Sequence, residues 1–210
     1  MEVTKTVSKR RLIFLAVPVG ILLICILFSL SRRIPPDEGI LREQVVEIAA
    51  EYLGRNEADG SHRELIDLYN SQEVLPRGYA VTYEDSWCAA FVSVVAMESA
   101  MRDYIPTECS CQQMIYLLEE NGNWEENDWY IPQTGDIIFY AWGEFPLGEC
   151  TGWSDHVGIV EGVYGPVIRV IEGNKDDAVV YRYIWIGHPE IRGYGLPNYS
   201  EAAFNGIKPE

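Results

Sequence analysis

His156-Val157-Gly158-Ile159-Val160-Glu161-Gly162-Val163-Tyr164-Gly165-Pro166-Val167-Ile168-Arg169-Val170-Ile171-Glu172-Gly173-Asn174 is the stretch that decides the fold. Two β-branched runs, His156–Glu161 and Val167–Glu172, flank Gly162–Pro166, whose glycines and proline mark a hairpin-like connection. Pairing symmetric about Tyr164 predicts that His156 faces Glu172 across two antiparallel strands, with Cβ atoms about 4.5–5.5 Å apart. At that distance a carboxylate fixes an imidazole's orientation and stabilises its charged form. A slip of one residue would send Glu172 to the other face of the sheet. Unpaired, Glu172 would read as a solvated strand residue. Asn174, two residues further on, is expected near the same ring as a second orienting group.

Working outward, Asp136–Tyr140 and Val179–Ile184 are further short β-branched or aromatic runs bounded by Gly, Pro, Asn and Asp. The N-terminal half has a different grammar. Leu41, Val45, Ile48 and Tyr52 form the stripe of an amphipathic helix ended by Gly54, and Leu65, Ile66, Leu68 and Tyr69 form a shorter apolar piece. Pro76–Tyr79 reads as a turn. Ser86–Met97 is so apolar that pattern alone leaves helix and strand open; its length favours a helix, capped by Asp85 or Ser86. Cys111–Glu120 reads as a helix stopped by Asn121-Gly122. Helices first and strands afterwards predict an α+β domain, with the helices packed on an antiparallel sheet.

The chain carries a formal net charge of −16, unevenly spread. Six of its 16 Lys/Arg, but one of its 32 Asp/Glu, lie in residues 1–33, so the rest carries ten bases against 31 acids, net −21. A body that acidic is repelled by phosphate backbones, which argues against nucleic acid as a partner. Leu12–Leu30 is 19 residues without a charge, about 28 Å of helix and enough to cross a bilayer. The cluster Lys5, Lys9, Arg10 and Arg11 ahead of it predicts a cytoplasmic N-terminus and an extracytoplasmic body. A cleaved signal peptide with secretion is the alternative, though no small-x-small site follows the run. The expected organisation is a basic tail (1–11), a membrane anchor (12–30), a stiff linker (31–39), a folded domain (40–200) and a C-terminal tail (201–210).

Among the three histidines, His62 and His188 sit in polar or turn-like contexts and read as surface residues, whereas His156 opens an apolar strand. Cys88, placed in the first turn of a helix, would feel the amide dipoles. Helix N-termini and a neighbouring imidazolium both lower a thiol's pKa and activate it as a nucleophile. The amides of that turn would contribute to an oxyanion hole. The plainer reading of Cys88 is a buried core residue. Cys109, Cys111 and Cys150 read as buried thiols or as one disulfide between Cys150 and either partner. There is no Cys-x-x-Cys pair, and Asn56-Glu57-Ala58-Asp59-Gly60 has too few spaced oxygen ligands for a confident calcium site. No metal or cofactor is expected.

The segment Asp85-Ser86-Trp87-Cys88-Ala89-Ala90-Phe91-Val92 resembles the Trp-Cys-Ala-x-Phe-Val nucleophile motif of CHAP domains, relatives of the NlpC/P60 peptidases. Gly135-Asp136-Ile137-Ile138, Asp155-His156-Val157-Gly158-Ile159-Val160 and Ile171-Glu172-Gly173-Asn174 resemble three further motifs of that family, in the family's order. The resemblance implies a papain-like α+β fold. It makes Cys88 the nucleophile, His156 the base, Glu172 the residue that orients the imidazole and Asn174 an auxiliary. The implied substrate is the peptidoglycan stem peptide, cut as an N-acetylmuramoyl-L-alanine amidase or a peptide endopeptidase would cut it. The alternative is a catalytically silent, membrane-anchored wall-binding or scaffold protein that keeps the cleft.

Overall fold

The computed structural model describes residues 36–127, 129–143 and 151–207. The anchor expected at Leu12–Leu30, most of the linker, and Cys25 and Cys150 lie outside the described residues. Among the described residues no helix is long and apolar enough to cross a membrane.

The elements run α1 (Pro36–Glu51), α2 (Arg63–Asn70), α3 (Cys88–Glu98), α4 (Cys111–Glu120), β1 (Trp124–Glu125), β2 (Ile137–Tyr140), β3 (His156–Tyr164), β4 (Val167–Lys175), β5 (Ala178–Trp185), β6 (Ile191–Gly195) and α5 (Tyr199–Phe204). The six strands among the described residues join one antiparallel sheet in the order β1-β6-β2-β3-β4-β5. Helices followed by an antiparallel sheet make the α+β architecture that the sequence predicts.

Helix α1 starts four residues before the expected domain boundary, so Pro36–Gly39 is helix where a linker was expected. Proline at the first helical position loses no intrahelical bond. Asp37 and Glu38 in the same turn face the positive end of the dipole. At the other end, α5 crosses the expected boundary at residue 200 and buries Tyr199 and Ala202. Its sequence is too short to have shown a periodic signal.

Two apolar layers sandwich the sheet. Ile137, Phe139, Val157, Ile159 and Ile171 point into the larger core with the helices, while Ile138, Tyr140, Val160, Ile168, Val170 and Ile184 form the other. This is the period-two alternation of a sheet covered on both faces. Helix α3 is the centre of the first layer, buried without interruption from Cys88 to Ala96. A helix apolar all round is a core helix, which explains why pattern alone could not separate it from a strand. Ser93, its one polar side chain in that run, donates to the carbonyls of Ala89 and Glu108.

The hairpin corrects the expected register. Strands β3 and β4 run on to Tyr164 and Val167, leaving Gly165-Pro166 as a two-residue turn. Pairing begins as Tyr164↔Val167 and Val163↔Ile168, then shifts by one residue to Val160↔Val170 and Ile159↔Ile171. Continued, that register sets Glu172 opposite Gly158, not His156. The expected pairing was therefore two residues out, and two residues preserve the face. Without the bulge between Val160 and Gly162, the tight turn would have put Glu172 on the opposite face from His156. The bulge restores the parity that lets them meet.

Two glycines allow the close approaches that follow. A Cβ on Gly158 would lie 2.7 Å from Glu172 Cγ, and one on Gly173 would lie 2.5 Å from Phe91 Cβ and 3.0 Å from Trp87 Cζ3. Gly158 makes room for the glutamate, and Gly173 lets the start of α3 press against β4.

Candidate active site

Cys88 is the first residue of α3 and is 5% exposed. The cap differs from expectation. Trp87 occupies the N-cap position with no side-chain cap, and Asp85 instead accepts from the Thr82 amide and the Tyr79 hydroxyl. The carboxylate is used up in the preceding turn, so no side chain caps the amides that open α3. The first intrahelical bond is Phe91 N–H to the Trp87 carbonyl at 2.9 Å. The amides of Cys88, Ala89 and Ala90 thus precede the helical ladder beside the sulfur, and that of Ala89 helps to lower the thiol's pKa.

His156 opens β3 and is buried, with its Nε2 3.1 Å from Glu172 Oε2. Its ring lies against Trp142 and Tyr140, centroids 5.8 Å away in each case. With Nε2 turned to the carboxylate, Nδ1 is the nitrogen left for Cys88, which lines the same cleft and whose thiol is electrostatically linked to the imidazole. Glu172 is fully buried and also receives both Arg182 Nε contacts, at 2.7 and 2.9 Å. It is not the solvated strand residue of the plainer reading. A buried carboxylate needs such partners, because an isolated charge away from water is costly.

The electrostatics form a consistent line. A hydrogen bond from Cys111, working against burial, together with the neighbouring His156 and the Ala89 amide, holds the Cys88 thiol well below its ordinary value. Burial opposes a charge on His156, yet Cys88 and Glu172 outweigh it and lift the imidazole to about 9. Burial also pushes Glu172 upward, but His156 and Arg182 prevail and keep it below the usual carboxylate range. The favoured state is a thiolate, an imidazolium and a carboxylate in sequence.

Asn174 does not turn to the imidazole. Its Oδ1 accepts from the Trp87 amide at 3.3 Å and its Nδ2 donates to Glu57 Oε1 at 3.1 Å. Its backbone adopts a φ of 59°, a left-handed conformation that Asn tolerates better than most residues. Glu57 in turn accepts from the Trp87 indole at 3.0 Å. Asn174 and Glu57 therefore hold the turn that delivers Cys88. His62, expected at the surface, is buried against the Trp87 ring, its nitrogens within 3.2–3.3 Å of the Tyr83 and Asn56 carbonyls. The polar residues around it satisfy the ring instead of exposing it. His188 is half-buried against Trp185.

Cys88, Trp142, Asp155, His156, Asn174 and Arg182 line an open cleft of about 310 Å³. A larger groove, about 470 Å³, lies at Arg102–Thr107 and Asn198 and holds none of these groups. Arg182, Trp142 and Cys111 escaped the sequence reading. Arg182 carried a signal, being an arginine inside the apolar run Val179–Ile184, where an inward charge demands a partner. Trp142 sits beyond a strand end, and only its ring contact with His156 reveals it. Among the described residues no cluster of His, Cys, Asp or Glu is arranged to hold a metal ion. Asp59 is engaged in a local turn with Asn56 and Ser61.

No curated protein and no solved structure matches the chain significantly. The family model of the CHAP domain matches residues 78–174, a span that includes Cys88, His156, Glu172 and Asn174. Over residues 78–174 the chain therefore carries a CHAP domain.

Proposed function

We propose that the chain is a cysteine hydrolase that cuts an amide bond of peptidoglycan, as an N-acetylmuramoyl-L-alanine amidase or a stem-peptide endopeptidase. A CHAP domain in general points to a peptidoglycan-related amidase or peptidase. The observation that carries the finer reading is the continuous line from Cys88 through His156 to Glu172 on the wall of an open cleft.

In this mechanism the Cys88 thiolate attacks the amide carbonyl, and the first-turn amides of α3 stabilise the oxyanion. The tetrahedral adduct collapses as imidazolium Nδ1–H protonates the departing amine, leaving a thioester on Cys88. His156 then takes a proton from water, which attacks the thioester and releases the carboxylate product and the thiolate. Glu172 keeps Nε2 protonated and directs Nδ1 to the reaction. Arg182 restrains Glu172, and Trp142 walls the ring. An open cleft suits a polymeric substrate, which must enter from the side. The uncharged run Leu12–Leu30 supports a membrane-anchored enzyme with its domain outside the cell.

The test is digestion of purified peptidoglycan by the full-length chain under reducing conditions, with mass spectrometry of the fragments. New lactyl ends with free L-Ala termini identify an amidase, and a cut within the stem or cross-bridge identifies an endopeptidase. Folded protein that yields no new fragment refutes hydrolysis of this polymer.

A further inference from the structure

The chemistry above needs one thiol, yet among the described residues the site holds two. Cys111 Sγ lies 3.6 Å from Cys88 Sγ; both are free and both are buried. Each is the first residue of its helix. Cys111 is held there deliberately: Ser110 caps α4 by accepting from the Gln113 amide, and Gln112 accepts from the Ser154 amide two residues before His156. The second bond ties the start of α4 to the segment that leads into the strand carrying the base. Cys109, two residues away, is instead directed to the Arg77 guanidinium at 3.2 Å.

We propose that Cys111 is a resolving thiol, and that Cys88 and Cys111 close into a reversible disulfide when the site meets a peroxide. The inference rests on Cys88 being the reactive thiol of the proposed function. The Cys88 thiolate attacks one peroxide oxygen, the O–O bond breaks, and hydroxide leaves a sulfenic acid on Cys88. Cys111 sulfur then attacks Cys88 sulfur, the S–O bond breaks, and the oxygen departs as water with the Cys111 proton. Two electrons pass from the two sulfurs to the peroxide, and a dithiol reverses the step by exchange. A bonded pair sits at about 2.05 Å, so closure asks for a movement of about 1.5 Å. That is within the range of side-chain adjustment at two helix ends. The disulfide silences the nucleophile and shields it from irreversible over-oxidation.

The test uses the full-length chain, reduced and then exposed to a small excess of hydrogen peroxide, followed by non-reducing peptide mapping. Expected is a cross-linked Cys88–Cys111 peptide lighter by two hydrogens, with dithiothreitol restoring alkylation of Cys88. In Cys111→Ser, peroxide should carry Cys88 on to sulfinic acid, and the fraction recovered by dithiothreitol should fall about tenfold relative to wild type. A wild-type chain that accumulates sulfinic Cys88 while Cys111 stays reduced overturns the proposal, as does a cross-link through Cys109 or Cys150 instead. Mapping of the wild-type chain decides even if the variant fails to fold. It needs no substrate, so a chain that forms the bond but leaves peptidoglycan intact would sink only the proposed function.

Discussion

Glu172→Gln removes one charge from the centre of the site while keeping the shape of a fully buried side chain. Two unit charges about 4 Å apart, in an effective dielectric near 20, attract by about 4 kcal/mol. That is about three pKa units at 1.36 kcal/mol each. His156, now lifted to about 9, should therefore fall to or below its ordinary value. Arg182, left without its carboxylate, adds to the drop. Cys88 then loses its cation near neutral pH, although the Cys111 hydrogen bond persists. The assay is the pH dependence of Cys88 alkylation by iodoacetamide, with circular dichroism as the folding control. At pH 6 the rate should fall by 10- to 100-fold, roughly one to two pKa units' worth of thiolate. Stability should also fall, by about 3–5 kcal/mol, because a buried pair has been broken. If that unfolds the chain, Glu172→Asp retains the charge at a longer reach and should give a smaller shift in the same direction. A folded Glu172→Gln whose alkylation profile overlays the wild-type curve would refute the reasoning.

Further outcomes follow from the same contacts. Gly158→Ala forces a Cβ to within 2.7 Å of both Glu172 Cγ and Val170 Cγ1; denaturant melts should show a loss of about 1–3 kcal/mol, and hydrolysis should weaken as Glu172 is displaced. Asn174→Gly and Asn174→Ala both lose the bonds to Trp87 and Glu57, but alanine also strains the left-handed backbone, so it should be the less stable of the two by about 1 kcal/mol. The imidazolium's contribution to stability should be complete below about pH 6.5, the ordinary histidine value, and be lost as pH rises through about 9. Glu172, held low, contributes above about pH 4.3, and its share disappears as pH falls through its depressed value. Thermal melts across pH should show both flanks, and Glu172→Gln should lack the acid one.

The sequence was most legible where one physical rule acts locally. Cys111–Glu120 carries its own stop signal and forms the helix expected. The β-branched runs around His156 and Glu172 form strands because both faces of the sheet are covered. Legibility failed where a tertiary partner decides the outcome. The β-bulge between Val160 and Gly162 has no strong signature in Val160-Glu161-Gly162, and the correct face was reached through a register two residues out. The Asp85 carboxylate looked like a cap, but nearby backbone and the Tyr79 hydroxyl claim it. Asn174 was expected at the imidazole because it follows Glu172 by two residues. Its left-handed backbone breaks that periodicity and turns the amide to Trp87. His62 and Cys111 were hidden for the same reason: their partners are distant in sequence, and a single chain does not announce a packing contact.

The most direct measurement is the rate at which peptidoglycan fragments appear with the wild-type chain and with Cys88→Ala, at equal concentration under reducing conditions. Loss of a covalent nucleophile should cut the rate by a factor on the order of 10³ or more. Fragment release by Cys88→Ala at the wild-type rate would contradict the assignment of this thiol as the attacking group.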